Sequence, residues 1–499
     1  MLSLGVKNLK RIKLSKNIKI LILNLPSPPK MDVCRDFAGG YGVAWPAKRG
    51  SYGQSRKPIF NPFIPYIMTS LSGEGLECYV IDGQQKKLDD KGVIQYVNKI
   101  NPDLIISMIG LPSIFKDVQI LNQIKIYHPD CLIVGVGTVC HTLTQSILSN
   151  SRVDILVKDL FPYSFTTTEL IKAIIKGRNL KKVPGISCRF GKSIFGTQES
   201  LGNNIDKLPF PDYDQIEING YDCFRDNDWN YWNYIAILTG IGCPYACFYC
   251  PYPIGFGKKW LPKSPKNIVD EIESLYSRGI KGFTFRDQLF TMNKKRVMDI
   301  CREIITRKLD VAWICEARVD QISKDMLNLM ERSGCKRINY GVETGATELI
   351  EEAKSGVNLT IINKAFQLTK SSGILAGAHI IIGWPEENLR TIQATYELIS
   401  KIDPDHINLN ILTPYPGTLL YNFAKKRHLI ASYDWTKYTS HSVVMKSKWL
   451  NADQLQEAVN NIVRENLKRE TIKLLRLAHK NPMIVVKGFM DILRSTILS

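Results

Sequence analysis

A chain of 499 residues with 44% hydrophobic and 23% charged side chains has room for two or three domains and the make-up of an ordinary globular protein. No uninterrupted apolar run approaches the roughly 18–20 residues that span a bilayer, which argues against a transmembrane protein. Twelve scattered cysteines show no paired framework and follow no secretory leader, which argues against a disulfide-built secreted domain and for a reducing, cytoplasmic setting.

The net charge of +19 is partly local: residues 1–17 form a basic arm, with Lys7, Lys10, Arg11, Lys13 and Lys16, and no acid. From 18 to 178 short β-branched runs alternate with amphipathic ones. Strands are expected near 18–24, 78–82, 103–108, 131–136 and 153–157, and helices near 63–76, 91–100, 113–128, 140–150 and 166–177. That alternation implies a doubly wound, Rossmann-like parallel sheet, whose ligands bind beyond the carboxyl ends of the strands. The loop Gly135-Val136-Gly137-Thr138 offers small residues at such an edge. Residues 179–231, with Pro184-Gly185 and Pro209-Phe210-Pro211, read as a long connection with little regular structure.

From 232 to 447 the alternation resumes, with strands expected at 234–240, 281–286, 310–316, 336–342, 376–383 and 406–412. The first intervening helix puts Ile268, Val269, Ile272, Leu275 and Tyr276 on one face and ends at Gly279. Six such units make an incomplete (β/α)6 version of the eight-fold barrel, with its chemistry at the carboxyl ends of the strands. Residues 448–499 read as helical and carry a second basic region after Arg464. The stretch from Pro482 to Arg494 suits either a surface-lying membrane helix or a capping helix with a solvated charged face.

The first barrel strand runs into Gly242-Cys243-Pro244-Tyr245-Ala246-Cys247-Phe248-Tyr249-Cys250. Three thiolates on one short loop suit soft iron or zinc, and three ligands leave a four-coordinate site one short. A Cys3His zinc site wants a nearby histidine, yet none lies between His141 and His379. Cys34, Cys78, Cys188, Cys301 and Cys315 read instead as small buried hydrophobes. The other strand ends bring Arg286 and Asp287, Arg318, the run Gly341-Val342-Glu343-Thr344-Gly345, Gly383 and Thr413-Pro414-Tyr415-Pro416-Gly417-Thr418 to the same mouth. No convincing histidine–carboxylate pair is legible among them.

The cysteine run resembles the cluster loop of the radical S-adenosylmethionine (radical SAM) superfamily. The order of domains resembles its branch with an N-terminal cobalamin-binding domain, which includes the anaerobic magnesium-protoporphyrin cyclase, hopanoid methylases and archaeal lipid-modifying enzymes. The resemblance implies that Cys243, Cys247 and Cys250 hold three irons of a 4Fe-4S cluster whose fourth iron binds SAM, giving a 5′-deoxyadenosyl radical. It implies SAM contacts from Tyr249, Arg318, Glu343, Gly341 and Gly383, and cobalamin contacts from Gly135, Gly137 and Thr138. The chain departs from the branch in having no Asp-x-His-x-x-Gly run and in carrying Lys158-Asp159-Leu160-Phe161-Pro162 where a Gly-Glu-x-Glu run is common. The expected activity is hydrogen abstraction from an unactivated carbon of an apolar, lipid- or tetrapyrrole-like small molecule, with cobalamin-dependent methyl transfer favoured and ring closure as the near rival. The expected partner is a one-electron donor such as ferredoxin or flavodoxin; peripheral contact with the cytoplasmic membrane face is left open and nucleic acid is disfavoured. Two other readings stand beside it. A tRNA methylthiotransferase would carry a second cluster on Cys34, Cys78 and Cys131 and end in a β-rich domain, and a degenerate barrel would serve as a binding scaffold.

Overall fold

The computed structural model describes residues 18–46, 58–158, 165–191, 193–198, 204–211, 213–214, 216–218, 220–226, 230–354 and 356–477. The basic arm 1–17, the 482–494 stretch and most of the 158–162 run therefore lie outside the described residues.

The first half is built on β1 (Lys19–Asn24), a hairpin of β2 (Met31–Cys34) and β3 (Val43–Pro46), then β4 (Glu77–Asp82), β5 (Leu104–Met108), β6 (Leu132–Val136) and β7 (Ile155–Val157). Apart from the hairpin these pair in parallel in the order β4-β1-β5-β6-β7. In order of sequence that is 2-1-3-4-5, which puts a switch point between β1 and β5. Residues such as Leu104, Ile105, Ile133, Val134 and Ile155 are buried, as expected for strands covered on both faces. Helices Asp90–Ile100 and Ile114–Tyr127 line one face and Phe63–Ser72 and Phe165–Ile175 the other. The expected helix at 140–150 divides at Leu143 into Thr138–Thr142 and Thr144–Asn150.

The segment 179–231 is more regular than expected. It supplies β8 (Ile186–Phe190) and β9 (Ser193–Gly196), which extend the first sheet antiparallel beyond β7, and β10 (Cys223–Arg225), which caps the edge of the second sheet. These strands are short and flanked by turn residues, so their pairing comes from the sheet edges they cover rather than from local pattern.

The second sheet begins with β11 (Tyr231–Ile237), which leads into a small ladder of β12 (Gly240–Ile241) and β13 (Leu261–Pro262). Then come β14 (Gly282–Phe285), β15 (Ala312–Ala317), β16 (Cys335–Glu343), β17 (Leu375–Ile382) and β18 (His406–Ile411). β11, β14, β15, β16, β17 and β18 are parallel in that order, the expected six-stranded partial barrel. Its helices carry conventional caps, such as Ser264 accepting from the Asn267 N–H and the reciprocal Asn388–Thr391 capping box. Helix Ala452–Leu477 packs Leu455, Val459 and Ile462 onto the same core. Among the described residues no helix is long and apolar enough to cross a membrane.

One hydrophobic core runs through both halves, from Ile20, Phe63 and Leu170 to Phe256, Ile272 and Trp313. At its centre lies a buried polar knot. Glu271 takes hydrogen bonds from Tyr66 and Tyr213 at 2.7 Å each and an ion pair from Lys263 at 2.7 Å, and Lys263 also reaches the Tyr66 hydroxyl. Tyr66 belongs to the first half, Tyr213 to the connection, and Lys263 and Glu271 to the barrel. Each lone pair used is paid for locally, because an ion buried without partners costs several kcal/mol. Glu271→Ala, which strands the Lys263 ammonium, is expected to lower the unfolding free energy by about 3–5 kcal/mol, and Tyr213→Phe by about 1–3 kcal/mol. Urea denaturation of the purified chain measures both.

Candidate active site

The ladder of β12 with β13 closes residues 242–260 into a loop at the carboxyl end of β11. Gly242 has φ +74°, and a Cβ there would collide with the Lys259 carbonyl oxygen, so glycine is required. The Cys243 N–H donates to the Gly257 carbonyl and the Cys250 N–H to that of Cys247, both at 3.1 Å. Burial raises the pKa of all three thiols, and for Cys243 and Cys250 the neighbouring cysteines add to it; the positive charges of Lys354 and Arg318 oppose the rise at Cys243 and Cys247. Thiols so placed stay protonated until a metal displaces the proton. Among the described residues no group of three His, Cys, Asp and Glu side chains is gathered closely enough to hold a single ion. Three soft donors on one loop, with cationic side chains beside them, fit a cluster held by three corners.

The other strand ends gather around this loop. Arg318, just beyond β15, forms a bidentate pair with Asp320 (2.9 Å, twice) and lays its guanidinium over the Tyr245 ring at 4.1 Å. Glu343 closes β16 at a register shift, with φ +67°, a conformation rare for a side chain of this kind. Its carboxylate pairs with Lys354 at 2.8 Å, and Lys354 also donates to the Gly341 carbonyl at 3.0 Å. A Cβ on Gly341 would collide with the Lys354 ammonium. Tyr249 is hydrogen-bonded to Glu343, and its phenol is held well above its usual range, first by burial and then by that carboxylate. Its ring meets Trp384 edge-on at 5.3 Å. Gly383, with φ +101°, begins the turn that donates its N–H to the buried Glu387 at 2.9 Å. Tyr249, Gly341 and Glu343 thus share one contact network, Trp384 ties the Gly383 turn to it, and Arg318 reaches the loop through Tyr245.

Three features differ from the sequence reading. Asp287 turns away from the mouth and accepts the Thr239 N–H at 3.0 Å, while Arg286 is taken by Asp36 of the first half at 2.6 Å, its guanidinium 3.9 Å from the Phe37 ring. Lys354 went unnoticed because it follows helix Thr347–Ala353 and belongs to no strand end. A histidine–carboxylate pair does exist: His379 Nε2 lies 2.6 Å from Glu316 Oε2. Glu316 stands two residues before Arg318 and His379 four before Gly383, so the two-residue period of strands was the signal that would have found them.

Gly135, Gly137 and Thr138 lie at the carboxyl edge of the first sheet. A Cβ on Gly135 would meet Leu156 and Ile109 at 2.8 and 2.9 Å, one on Gly137 the Ile109 carbonyl oxygen at 2.7 Å, and the Thr138 hydroxyl donates to the Gly39 carbonyl. The loop between β2 and β3 covers this edge. Arg35, fully buried, pairs with Asp117 and donates to the Leu25 and Pro26 carbonyls. Gly39 abuts Pro251 and Tyr252, and Tyr41 donates to the Pro416 carbonyl. Ile109, Leu111 and Val139 are wholly buried in a cluster with Tyr41, Tyr415, Tyr438 and Val444. An interdomain cleft lined by Asp36, Phe63, Tyr252, Phe256, Arg286 and Gln288 has a cavity of only about 10 Å³, far below the roughly 300–1,000 Å³ of pockets for drug-sized ligands. The carboxyl edge at Gly135, Gly137 and Thr138 is thus filled by the chain's own side chains.

The sequence model of the radical SAM superfamily matches residues 237–399, the span from β11 to helix Leu389–Ile402. An uncharacterized methyltransferase of Pyrococcus horikoshii is 27% identical over 86% of this chain and 92% of its own length. The anaerobic magnesium-protoporphyrin IX monomethyl ester cyclase of Cereibacter sphaeroides is 25% identical over 80% of this chain and 65% of its own. Among solved structures, the cobalamin-dependent S-adenosylmethionine radical enzyme OxsB, with aqua-cobalamin and S-adenosylmethionine bound, superposes with a TM-score of 0.72 at 15% identity, over 97% of this chain and 72% of that one. Residues 237–399 thus carry the radical SAM domain, and the chain as a whole shares the two-part fold of the cobalamin-dependent radical enzyme. The chain is a radical SAM enzyme, and the family implies a 4Fe-4S cluster and SAM at the cysteine loop.

Because Gly242 holds the radical SAM loop closed without supplying a ligand, Gly242→Ala is expected to weaken iron binding roughly 10–100-fold, as loss of a supporting contact does. Iron per chain after anaerobic reconstitution reports it, with circular dichroism confirming the fold.

Proposed function

We propose that this radical SAM enzyme functionalises an unactivated carbon of a largely apolar small molecule, with methyl transfer the favoured outcome and ring closure the alternative. The observation that carries the reading is the three-thiol loop ringed by Lys354, Glu343 and Arg318. When bound, the cluster supplies the electron that splits SAM, and the adenosyl fragment takes a hydrogen atom from the substrate.

The protein's part is to hold and to shield. Cys243, Cys247 and Cys250 would grip three irons. Glu343 suits the ammonium of SAM, and Lys354 and Arg318 suit its carboxylate, by exchanging their present ion pairs for charge-assisted contacts with the ligand. Tyr249, braced edge-on by the buried Trp384, offers a flat apolar surface to the adenine, and Gly341 and Gly383 leave room for backbone to approach. Phe37, carried on the loop between β2 and β3, and the Asp36–Arg286 pair close the mouth from the side of the first half.

Methyl transfer is favoured by the methyltransferase name of the Pyrococcus relative, and ring closure by the cyclase. Cobalamin is the methyl carrier that the branch suggests. The edge where it would lie is filled by the 34–42 loop with Tyr415, Tyr438 and Val444, which would have to move to admit it. A ferredoxin- or flavodoxin-class donor fits the need for one electron at a time.

The methylthiotransferase reading loses its second cluster. Cys34 lies beyond the carboxyl end of β1, whereas Cys78 and Cys131 sit near the amino ends of β4 and β6, and residues 452–477 form a helix rather than a β-rich domain.

Anaerobic reconstitution with SAM and dithionite tests the proposal. About four irons per chain and 5′-deoxyadenosine are expected, both lost in a Cys243→Ala, Cys247→Ala, Cys250→Ala triple variant. A folded, iron-loaded protein that forms no 5′-deoxyadenosine would overturn it. Added hydroxocobalamin that stays with the chain through gel filtration, read by its visible bands, would show that the closed edge opens. Lys354→Met is expected to weaken SAM binding about tenfold or more, as loss of a hydrogen bond to a charged group does, measured by calorimetry.

A further inference from the structure

Barrel interiors are ordinarily filled by layers of branched apolar side chains. Here four neighbouring strands instead place Glu316, Asn339, His379 and Asn408 side by side, with Glu316 paired in register to Asn339 and His379 to Asn408. The Asn339 amide donates to Glu316 Oε1 at 3.1 Å, His379 Nε2 lies 2.6 Å from Glu316 Oε2, and the Asn408 amide is 3.0 Å from His379 Nδ1. Room has been made for this row: a Cβ on Gly377 would collide with the Asn339 amide oxygen, an acceptor that has no partner among the described residues.

The row is open to the lumen rather than packed over. The Glu316 side chain keeps 38% of its surface and that of His379 25%, and each carboxylate oxygen has a lone pair to spare. It lies one layer below the mouth, since Arg318 follows Glu316 by two residues and Gly383 follows His379 by four. The charged groups that act on the pair are Arg286 from β14, and Glu343 with Lys354 from the SAM side. Arg286 is matched by Asp36 and Lys354 by Glu343. Burial raises the Glu316 carboxyl but the His379 charge and hydrogen bond outweigh it, so the group ends below its usual range. Burial lowers the His379 imidazole but Glu316 outweighs that too, so it ends above its own. Both shifts favour the charge-matched form of the pair, and the Asn408 amide can turn either end toward the ring.

We propose that Glu316 and His379 receive a neutral hydrogen-bond-donating group of the substrate, a hydroxyl or an amide, inside the barrel beneath SAM. The substrate is then amphipathic: its polar end is anchored on Glu316, and its apolar body rises past the mouth where the hydrogen atom is taken. This rests on the reading that the barrel admits a substrate beside SAM. An ionic group is disfavoured because it would leave an unmatched charge in a lumen whose charges are already paired.

The seven histidines allow a direct test. In the cluster-loaded protein with SAM, labelled with 13C at histidine Cε1, the His379 signal is assigned by its loss in His379→Gln. Titration with 1-hexanol is expected to move that signal saturably, and 1-chlorohexane, of like shape without a donor, to leave it in place. In Glu316→Gln the 1-hexanol response is expected to weaken about tenfold, and the pH midpoint of the His379 signal to fall. A His379 signal that ignores 1-hexanol, or answers both probes alike, in protein that still makes 5′-deoxyadenosine would overturn the proposal. Absence of 5′-deoxyadenosine would instead strike the reading of function beneath it.

Discussion

A single carboxylate sets how the two halves face each other. Glu271 is on the first barrel helix, yet its oxygens are satisfied by Tyr66 from the first half, Tyr213 from the connection and Lys263 from the barrel. All four side chains are buried, so none can be met by water if its partners move apart. The directional bonds fix the angle that an apolar interface alone would leave loose. From that angle follows the approach of the β2–β3 loop to the barrel mouth, with Asp36 on Arg286, Gly39 on Pro251 and Tyr41 on Pro416.

The same juxtaposition explains how the first half relates to its kin. Its strand order keeps the ligand edge of doubly wound sheets at the β1–β5 switch. That edge is taken up by the chain itself, through Arg35 anchored on Asp117 and the apolar group of Tyr41, Tyr415, Tyr438 and Val444. Fold and ligand are separable properties, and here the architecture persists whether or not a corrin enters.

The parallel strands of both halves were legible because strands buried on two faces make unbroken apolar runs, such as Leu104-Ile105-Ile106 and Ile380-Ile381-Ile382. The cysteine loop was legible because its ligands are contiguous. What escaped is what depends on a partner far along the chain. β8, β9 and β10 are edge strands whose partners define them. Arg286 lies 250 residues from Asp36, and His379 lies 63 from Glu316. The strand period puts Glu316 and His379 each on the lumen face, but only the register of β15 to β18 makes them neighbours. Lys354 was hidden in the same way, since it reaches the mouth only because the bulge at Glu343 turns that carboxylate toward it.

The core that passes without a break from Ile20 to Trp313 bears on how this protein is inherited and divided. Cutting the chain after β9 would leave Phe63, Tyr66 and Leu170 facing water on one fragment and Phe256, Ile268 and Ile272 on the other. The two halves therefore form a single cooperative unit, despite their separate sheets. Recombination that swaps one sheet for a distant cousin's must carry the matching surface of the other with it.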